Sequence, residues 1–459
     1  MTVKPETPSG FRDYLPREMI QRQQMLDTIR RVYESFGFSP LETPAIERTD
    51  VLTGGQSSMM IYHVNLSRGA PSEQQALSLR FDLTVPLARV VSAYPNDLPQ
   101  PFRRYQAAKV WRGEKPQAGR FREFMQFDAD IVGSGSMLAD AEIIWLMQAT
   151  MAALGFSRFL IRFNSRKILN ALAKRIGIDD VAGDKTKEFF RILDKLEKIE
   201  WIGVEAELRR APDSSADVRA LTLGDEAISI VRRFIEISGS DEEILAALSD
   251  VLDDDPSATQ GVAELSEIVG YLIAIGLPRH NWRMDLSVAR GLDYYTGPVF
   301  ETTLLDVPEI GSVFSGGRYD GLVARFSNAS LPATGASIGV DRLFAAMEKL
   351  GLVKGRKTVT EALIIDFVPA LRGEYLKLAK ELRANGIKTE IYEGHERAFK
   401  GQLSYAVLLE IPVVLILGQS EAEQNVVQIK DMRQRSQVAV TLNKVAETVK
   451  SILVGCVDM

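Results

Sequence analysis

The chain has 459 residues, 46% hydrophobic and 25% charged, which is enough for about three domains and excludes a small disulfide scaffold, a lone binding module and a largely disordered chain. Its one cysteine, Cys456, forbids an internal disulfide, and with only His63, His280 and His395 beside it no cysteine/histidine zinc cluster can form. The net charge of −6, from 55 Lys+Arg against 61 Asp+Glu, excludes a uniformly basic coat for nucleic acid, so any such partner must be met locally.

The opening residues lack the apolar core of a signal peptide, and no run of about 18 apolar residues is present to cross a membrane, so a cytoplasmic protein is expected. Pro16 suits a first helical position, and Met19, Leu26, Ile29, Tyr33 and Phe36 recur at helical spacing before Gly37. The prolines at 40 and 44 in SPLETPAIERTDVL point to an edge strand or an interface. From about 80 to 133 the pattern predicts short strands with turn signals, after which DAEIIWLMQATMAALG returns to helical spacing and stops at a glycine.

Residues 166–272 are long, charged and helical, with few strand signals, and read as an insertion. The seven acidic side chains of 241–255, with no basic one, read as a solvated helix face. Strand-like sequence resumes at NWRMDLSVARGLDYYTGPVFETTLL, followed by SGGRYDGLV and then TGASIGVDRLFAAMEKLG, a strand entering a helix. After the linker LVKGRKTVTE, alternating strands and helices predict a compact α/β domain with a mostly parallel sheet. The expected division is 1–165 and 273–352 as one interrupted domain, 166–272 as the insertion, and 360–459 as the α/β domain.

Three constellations could carry chemistry. In the hairpin from about 103 to 133, alternation places Arg122, Phe124, Gln126, Asp128 and Asp130 on one face and Met125, Phe127, Ala129 and Ile131 on the other. A polar face is normal for a sheet open to water. However, residues 102–125 hold seven basic side chains against two acidic ones. Arg104, Arg112, Arg120 and Arg122 among them offer guanidinium forks that match phosphate oxygens. Next, RGLDYYTG and SGGRYDG each combine an arginine, an acid and tyrosine between glycines, the ingredients of a hydrogen-bonding specificity pocket or of an aromatic-packed turn. Finally, Arg342 falls in the first turn of a helix, where its charge opposes the helix dipole and needs an anion, either Asp341 or a ligand phosphate. The usual phosphate loops, G-x-x-x-x-G-K-[ST] and G-x-G-x-x-G, are absent from the sequence.

These segments carry a specific resemblance. RRYQAAKVWRGEKPQAGRFREFMQFDADIVG resembles motif 2 of class II aminoacyl-tRNA synthetases, GASIGVDRLF resembles motif 3, and FSPLETPAIERTDVL the dimer-forming motif 1. RGLDYYTGPVFE and SGGRYDGLV are similar to the histidine-specific motifs of the histidyl-tRNA synthetase family, and LRFDLTVPLAR and the C-terminal segment also resemble that family, the latter its anticodon-binding domain.

The resemblance implies an α+β catalytic domain on a mixed, mainly antiparallel sheet, with a helical insertion and a C-terminal α/β domain. It implies activation of L-histidine by ATP with Mg2+, transfer to the 3′-terminal ribose of tRNA(His), and a homodimer. By motif match, Arg112 and Arg290 would hold the α-phosphate and the substrate carboxylate, and these two are the implied catalytic residues. Arg120 and Arg342 would bind the outer phosphates, Phe124 would stack on adenine, and Glu114 would complete the ATP site. Asp82, Thr84 and Gln126 would take the α-amino group, while Asp130, Tyr294, Tyr295 and Tyr319 would line the imidazole pocket. No protein metal ligand is implied. Asp341 stands where glutamate is common in motif 3, and Phe81-Asp82-Leu83 replaces the proline-glutamate-glycine of many bacterial members while matching another form of the family. Two other readings use the same fold: a non-catalytic regulatory subunit of ATP phosphoribosyltransferase, which generally lacks the anticodon-binding domain, and a class II synthetase with a different amino-acid pocket.

Overall fold

The computed structural model describes residues 3–54, 60–65, 76–115, 121–180, 183–210, 221–253, 255–289, 294–327, 330–353 and 355–454. The chain divides into two compact units, one formed by residues 1–12 and 25–352, the other by 13–24 and 353–459.

The first unit is built on an eight-stranded sheet. In spatial order its strands are Ser39–Pro40, Phe102–Trp111, Glu123–Val132, Ala333–Gly339, Phe314–Arg318, Pro298–Leu304, Phe159–Ser165 and Trp282–Met284. The six central strands pair antiparallel, and each edge strand joins parallel to its neighbour. Phe102–Trp111 and Glu123–Val132 are ten residues each, longer than the short strands anticipated. Their register sets Arg104 opposite Asp130, Gln106 opposite Asp128 and Ala108 opposite Gln126. On the next strand Gly335, Ser337 and Gly339 face Asp130, Asp128 and Gln126.

Alternation then divides the two faces as the side chains demand. Tyr105, Phe127, Ala129 and Ile131 are buried on one face, where the Tyr33 ring of the helix Pro16–Ser35 meets Phe127 edge-on at 5.0 Å. The helix Met137–Ala153 covers more of this face; Ser136 caps it by accepting from Leu138 N at 3.2 Å. The opposite face keeps Gln126, Asp128 and Asp130, which are also buried.

The 80–133 stretch holds a helix where strands were expected. Thr84–Ala93 is helical, with Thr84 to Ala88, Val90 and Val91 all buried. Its β-branched residues read as strand, but Pro86 is tolerated in a first turn, and Asp82 Oδ1 accepts from Val85 N at 3.2 Å, satisfying an orphan donor of the helix start. From Arg166 to Ala274 the chain forms six helices and, among the described residues, no strand.

The second unit holds a five-stranded sheet in the order Thr389–Ile391, Ala362–Ile364, Val413–Ile416, Val426–Asp431, Ser436–Thr441. The first three strands are parallel, but the last two are antiparallel, so the sheet is mixed and the mostly parallel expectation is corrected. The reason is connection length. A parallel crossover takes a dozen residues or more, whereas Asp431 and Ser436 are joined by a tight turn in which Asp431 Oδ1 accepts from Arg433 N at 2.9 Å. Strand alternation buries Ile364, Leu415 and Ile429 with Tyr375, Leu378 and Val449 on one side, and Leu363, Ile365 and Val414 with Ala406 on the other.

Candidate active site

The polar face of the hairpin opens into a cleft of about 1470 Å³ in the first unit. It is lined by Asp82, Thr84, Arg112, Glu114, Phe124, Gln126, Asp130, Tyr294, Tyr295, Tyr319 and Arg342, side chains drawn from strands, loops and a helix start far apart in the chain. Arg120 and Arg290 lie outside the described residues.

One end of the cleft is acidic and phenolic. Tyr319 donates to Asp130 Oδ1, and the buried Arg104 guanidinium lies 2.8 Å from Asp130 Oδ2. Burial raises the Asp130 carboxyl above the usual range, against the pull of Arg104 and the Tyr319 hydrogen bond. Burial likewise pushes Asp82 up to about 6, opposed by the Val85 amide, Arg112, Arg104 and Tyr294, whose hydroxyl is 3.4 Å from Asp82 Oδ2. Tyr294 meets Tyr295 and Tyr319 edge-on, at 5.1 and 5.8 Å, and burial raises all three phenols, so they act as neutral hydrogen-bonding groups.

Close backbone approach makes this arrangement possible. A Cβ on Gly335 would stand 2.1 Å from Asp130 Oδ1, and one on Gly316 would stand 2.0 Å from Gly335 O. Glycine is therefore a steric requirement at both places.

The other end is cationic. Arg112 donates through Nε to Phe81 O at 3.1 Å, and its guanidinium carbon lies 5.1 Å from the Phe124 ring centre. Arg342, third residue of the helix Val340–Lys349, donates to Ser312 O at 3.1 Å. Asp341 accepts from Met125 N at 2.8 Å, tying that helix start to the hairpin. This end can receive anions while the acidic end receives N–H groups.

A match to residues 10–343 comes from the family model described as histidyl-tRNA synthetase. The chain belongs to the histidyl-tRNA synthetase family. A second model, the anticodon binding domain, matches residues 361–452. The chain is 40% identical over 457 residues to a histidine–tRNA ligase of Clostridium tetani, covering 98% of this chain and 99% of that one. It is 41% identical over 451 residues to one of Paracoccus denitrificans, covering 94% and 90%. The crystal structure of histidyl-tRNA synthetase from Nostoc sp. superposes with a TM-score of 0.82 at 34% identity, covering 98% of this chain and all of that one. A Bacillus halodurans structure named as an ATP phosphoribosyltransferase regulatory subunit/histidyl-tRNA synthetase shares the fold, with a TM-score of 0.70 at 23% identity and coverage of 88% and 97%.

Within this histidyl-tRNA synthetase fold, several basic residues singled out in the sequence face elsewhere. Arg104 is fully buried beneath the acidic end, paired with Asp130 and donating to Leu83 O at 3.0 Å, so it supports carboxylates and is not exposed to phosphate. Arg122 donates to Glu114 O and Ser9 O, at 3.1 and 3.2 Å. In SGGRYDG, alternation sends Tyr319 to the cleft and Arg318 to the opposite face, where it binds Asp140 and the Ser134 and Ser136 carbonyls. Asp320 accepts from Arg318 Nη1 at 3.2 Å.

Asp128 and Ser337 also line the cleft, although no role had been attached to them, as does Asp341, expected only as a counter-ion for Arg342. For Asp128 the signal was present, since it shares strand parity with Gln126 and Asp130; for Ser337 it was not, because strand order alone brings it opposite.

Proposed function

We propose that this chain activates L-histidine with ATP to form histidyl-adenylate and pyrophosphate, and then transfers histidine to the 3′-terminal ribose of tRNA(His). The observation that carries the reading is one continuous cleft with buried carboxylates and phenols at one end and Arg112, Phe124 and Arg342 at the other. Family membership and near full-length identity to histidine–tRNA ligases support the same activity.

In this reading the substrate carboxylate attacks the α-phosphorus and pyrophosphate leaves. The carboxylate is ionised at neutral pH, so no protein nucleophile is needed and catalysis lies in alignment and charge stabilisation. Arg112 and Arg290 hold the α-phosphate and substrate carboxylate. Arg120 and Arg342 bind the outer phosphates, Phe124 stacks on adenine and Glu114 lies beside the nucleotide. Asp82, Thr84 and Gln126 take the α-amino group; Asp130, Tyr294, Tyr295 and Tyr319 recognise the imidazole, whose two nitrogens suit an acid and phenols. Mg2+, an oxygen-seeking ion, would come with ATP and would supply charge neutralisation at its phosphates, beside Arg112 and Arg342. Among the described residues no group of three or more His, Cys, Asp or Glu is placed to hold a metal ion.

The same reading makes 1–165 and 273–352 the catalytic domain, 166–272 its insertion and 360–459 the anticodon-binding domain of a cytoplasmic homodimer. Among the described residues no helix is long and apolar enough to cross a membrane.

ATP–pyrophosphate exchange with each amino acid in turn tests the activity. Exchange dependent on histidine, followed by charging of tRNA(His), is expected. A folded, magnesium-supplied protein without exchange would overturn it in favour of a regulatory role, and exchange with another amino acid would overturn the pocket assignment. Light-scattering mass tests the dimer.

A further inference from the structure

The histidine-activation reading leaves one buried carboxylate of the cleft without a role. Asp128 lies between Gln126 and Asp130 on the same strand face, is 2% exposed, and lines the cleft. Among the described residues its Oδ1 has no hydrogen-bond partner, and neither has the buried Oε1 of Gln126 two residues earlier. Ser337 stands opposite Asp128 on the adjoining strand and accepts from Gln126 Nε2 at 2.6 Å. The serine thus fixes the Gln126 amide, and Gln126 Oε1 and Asp128 Oδ1 are left as acceptors on one strand face.

Neighbouring carboxylates are committed differently. Asp82 accepts from Val85 N and the Tyr294 hydroxyl, and Asp130 is held by Arg104 and Tyr319. A buried acceptor is costly to leave unpaired, so adjacent orphan acceptors in a cleft fit a ligand that brings several donors. A primary ammonium brings three N–H groups and no acceptor, whereas a neutral imidazole brings one N–H. Charge points the same way, because Asp82, Asp128 and Asp130 all lie near the buried guanidinium of Arg104, with Arg112 also acting on Asp82, and a further cation offsets part of the excess.

We propose that Asp128 is a substrate-binding residue whose Oδ1, beside Gln126 Oε1, accepts from the α-ammonium of the amino-acid substrate. Burial, with Asp130 and Asp82 nearby, pushes the Asp128 carboxyl up to about 7 against the pull of Arg104, and a bound cation favours its ionised form.

The test crosses a protein group with a ligand group. Binding of histidine and of 3-(imidazol-4-yl)propanoate, which keeps ring and carboxylate but lacks the amine, is measured by calorimetry and competition on the full chain and on Asp128→Ala. The substitution is expected to weaken histidine at least about tenfold, to leave the amine-less analogue within about twofold, and to leave the KM for ATP unchanged. Equal losses for both ligands, or no loss for either, would overturn the assignment. Asp128→Asn keeps the shape, removes the charge, and carries the same comparison where the alanine variant does not fold. Wild-type binding of a different amino acid would instead refute the histidine reading, and the comparison would then run with that amino acid and its amine-less analogue.

Discussion

Replacing Arg104 by methionine separates the two roles open to this arginine, phosphate ligand or pocket floor. The methionine fills most of the space but removes the cation 2.8 Å from Asp130 and the donor to Leu83 O. Breaking a fully buried pair by deleting one partner costs about 3–5 kcal/mol, because the remaining charge is left uncompensated. The first unit has about 340 residues. At roughly 2.1 cal/mol/K per residue its unfolding entropy is about 0.7 kcal/mol/K, so the expected fall in melting temperature is about 4–7 °C at pH 7.5. At pH 5.5 the fall should be smaller, since Asp82 and Asp128, raised by burial to about 6 and about 7, then carry protons that reduce the negative charge around the lost cation. Differential scanning calorimetry of Arg104→Met at the two pH values reads both effects. An unchanged melting temperature together with a raised KM for ATP would refute the buried-support argument and return Arg104 to the phosphates.

Further outcomes follow from the same geometry. Gly335→Ala drives a Cβ to 2.1 Å from Asp130 Oδ1 and 2.6 Å from Ala129 O, so histidine-dependent exchange should show a KM for histidine raised more than about tenfold; a normal KM would mean that the strand yields without moving Asp130. Arg342→Ala should raise the KM for ATP about tenfold or more with the KM for histidine nearly unchanged, and a reversed pattern in exchange kinetics would detach it from the nucleotide. For pH, Asp82 and Asp140 are raised to about 6 and Asp128 to about 7, in each case first by burial. At these three groups the folded chain therefore holds more protons than the unfolded chain from about pH 4 to 7. These groups make the ligand-free protein lose stability as pH rises through that window. Thermal melts at constant ionic strength should show the fall, and Asp128→Asn should flatten it; an identical slope in the variant would contradict the assignment.

Much of the site was legible because strand alternation is a local rule. Once Glu123–Val132 is a strand, Phe124, Gln126, Asp128 and Asp130 must share a face, and they do. The helix bearing Arg342 was legible for the same reason, through its 3.6-residue period. What alternation could not say is which arginine meets solvent. Arg104, Arg112 and Arg122 look alike in sequence, yet one is buried under Asp130, one lines the cleft, and one binds Glu114 O and Ser9 O.

The motifs in the sequence by themselves carried the family resemblance, and that resemblance implied the mainly antiparallel sheet and the identity of most cleft residues. Pairing across the sheet decided the rest. Strand order set Ser337 and Gly335 against Asp128 and Asp130, short connections turned the last two strands of the second unit antiparallel, and tertiary burial made a helix of the β-branched stretch Thr84–Ala93. These outcomes depend on contacts between residues tens or hundreds of positions apart, and their free energies of burial and hydrogen bonding override the local preferences that a sequence displays.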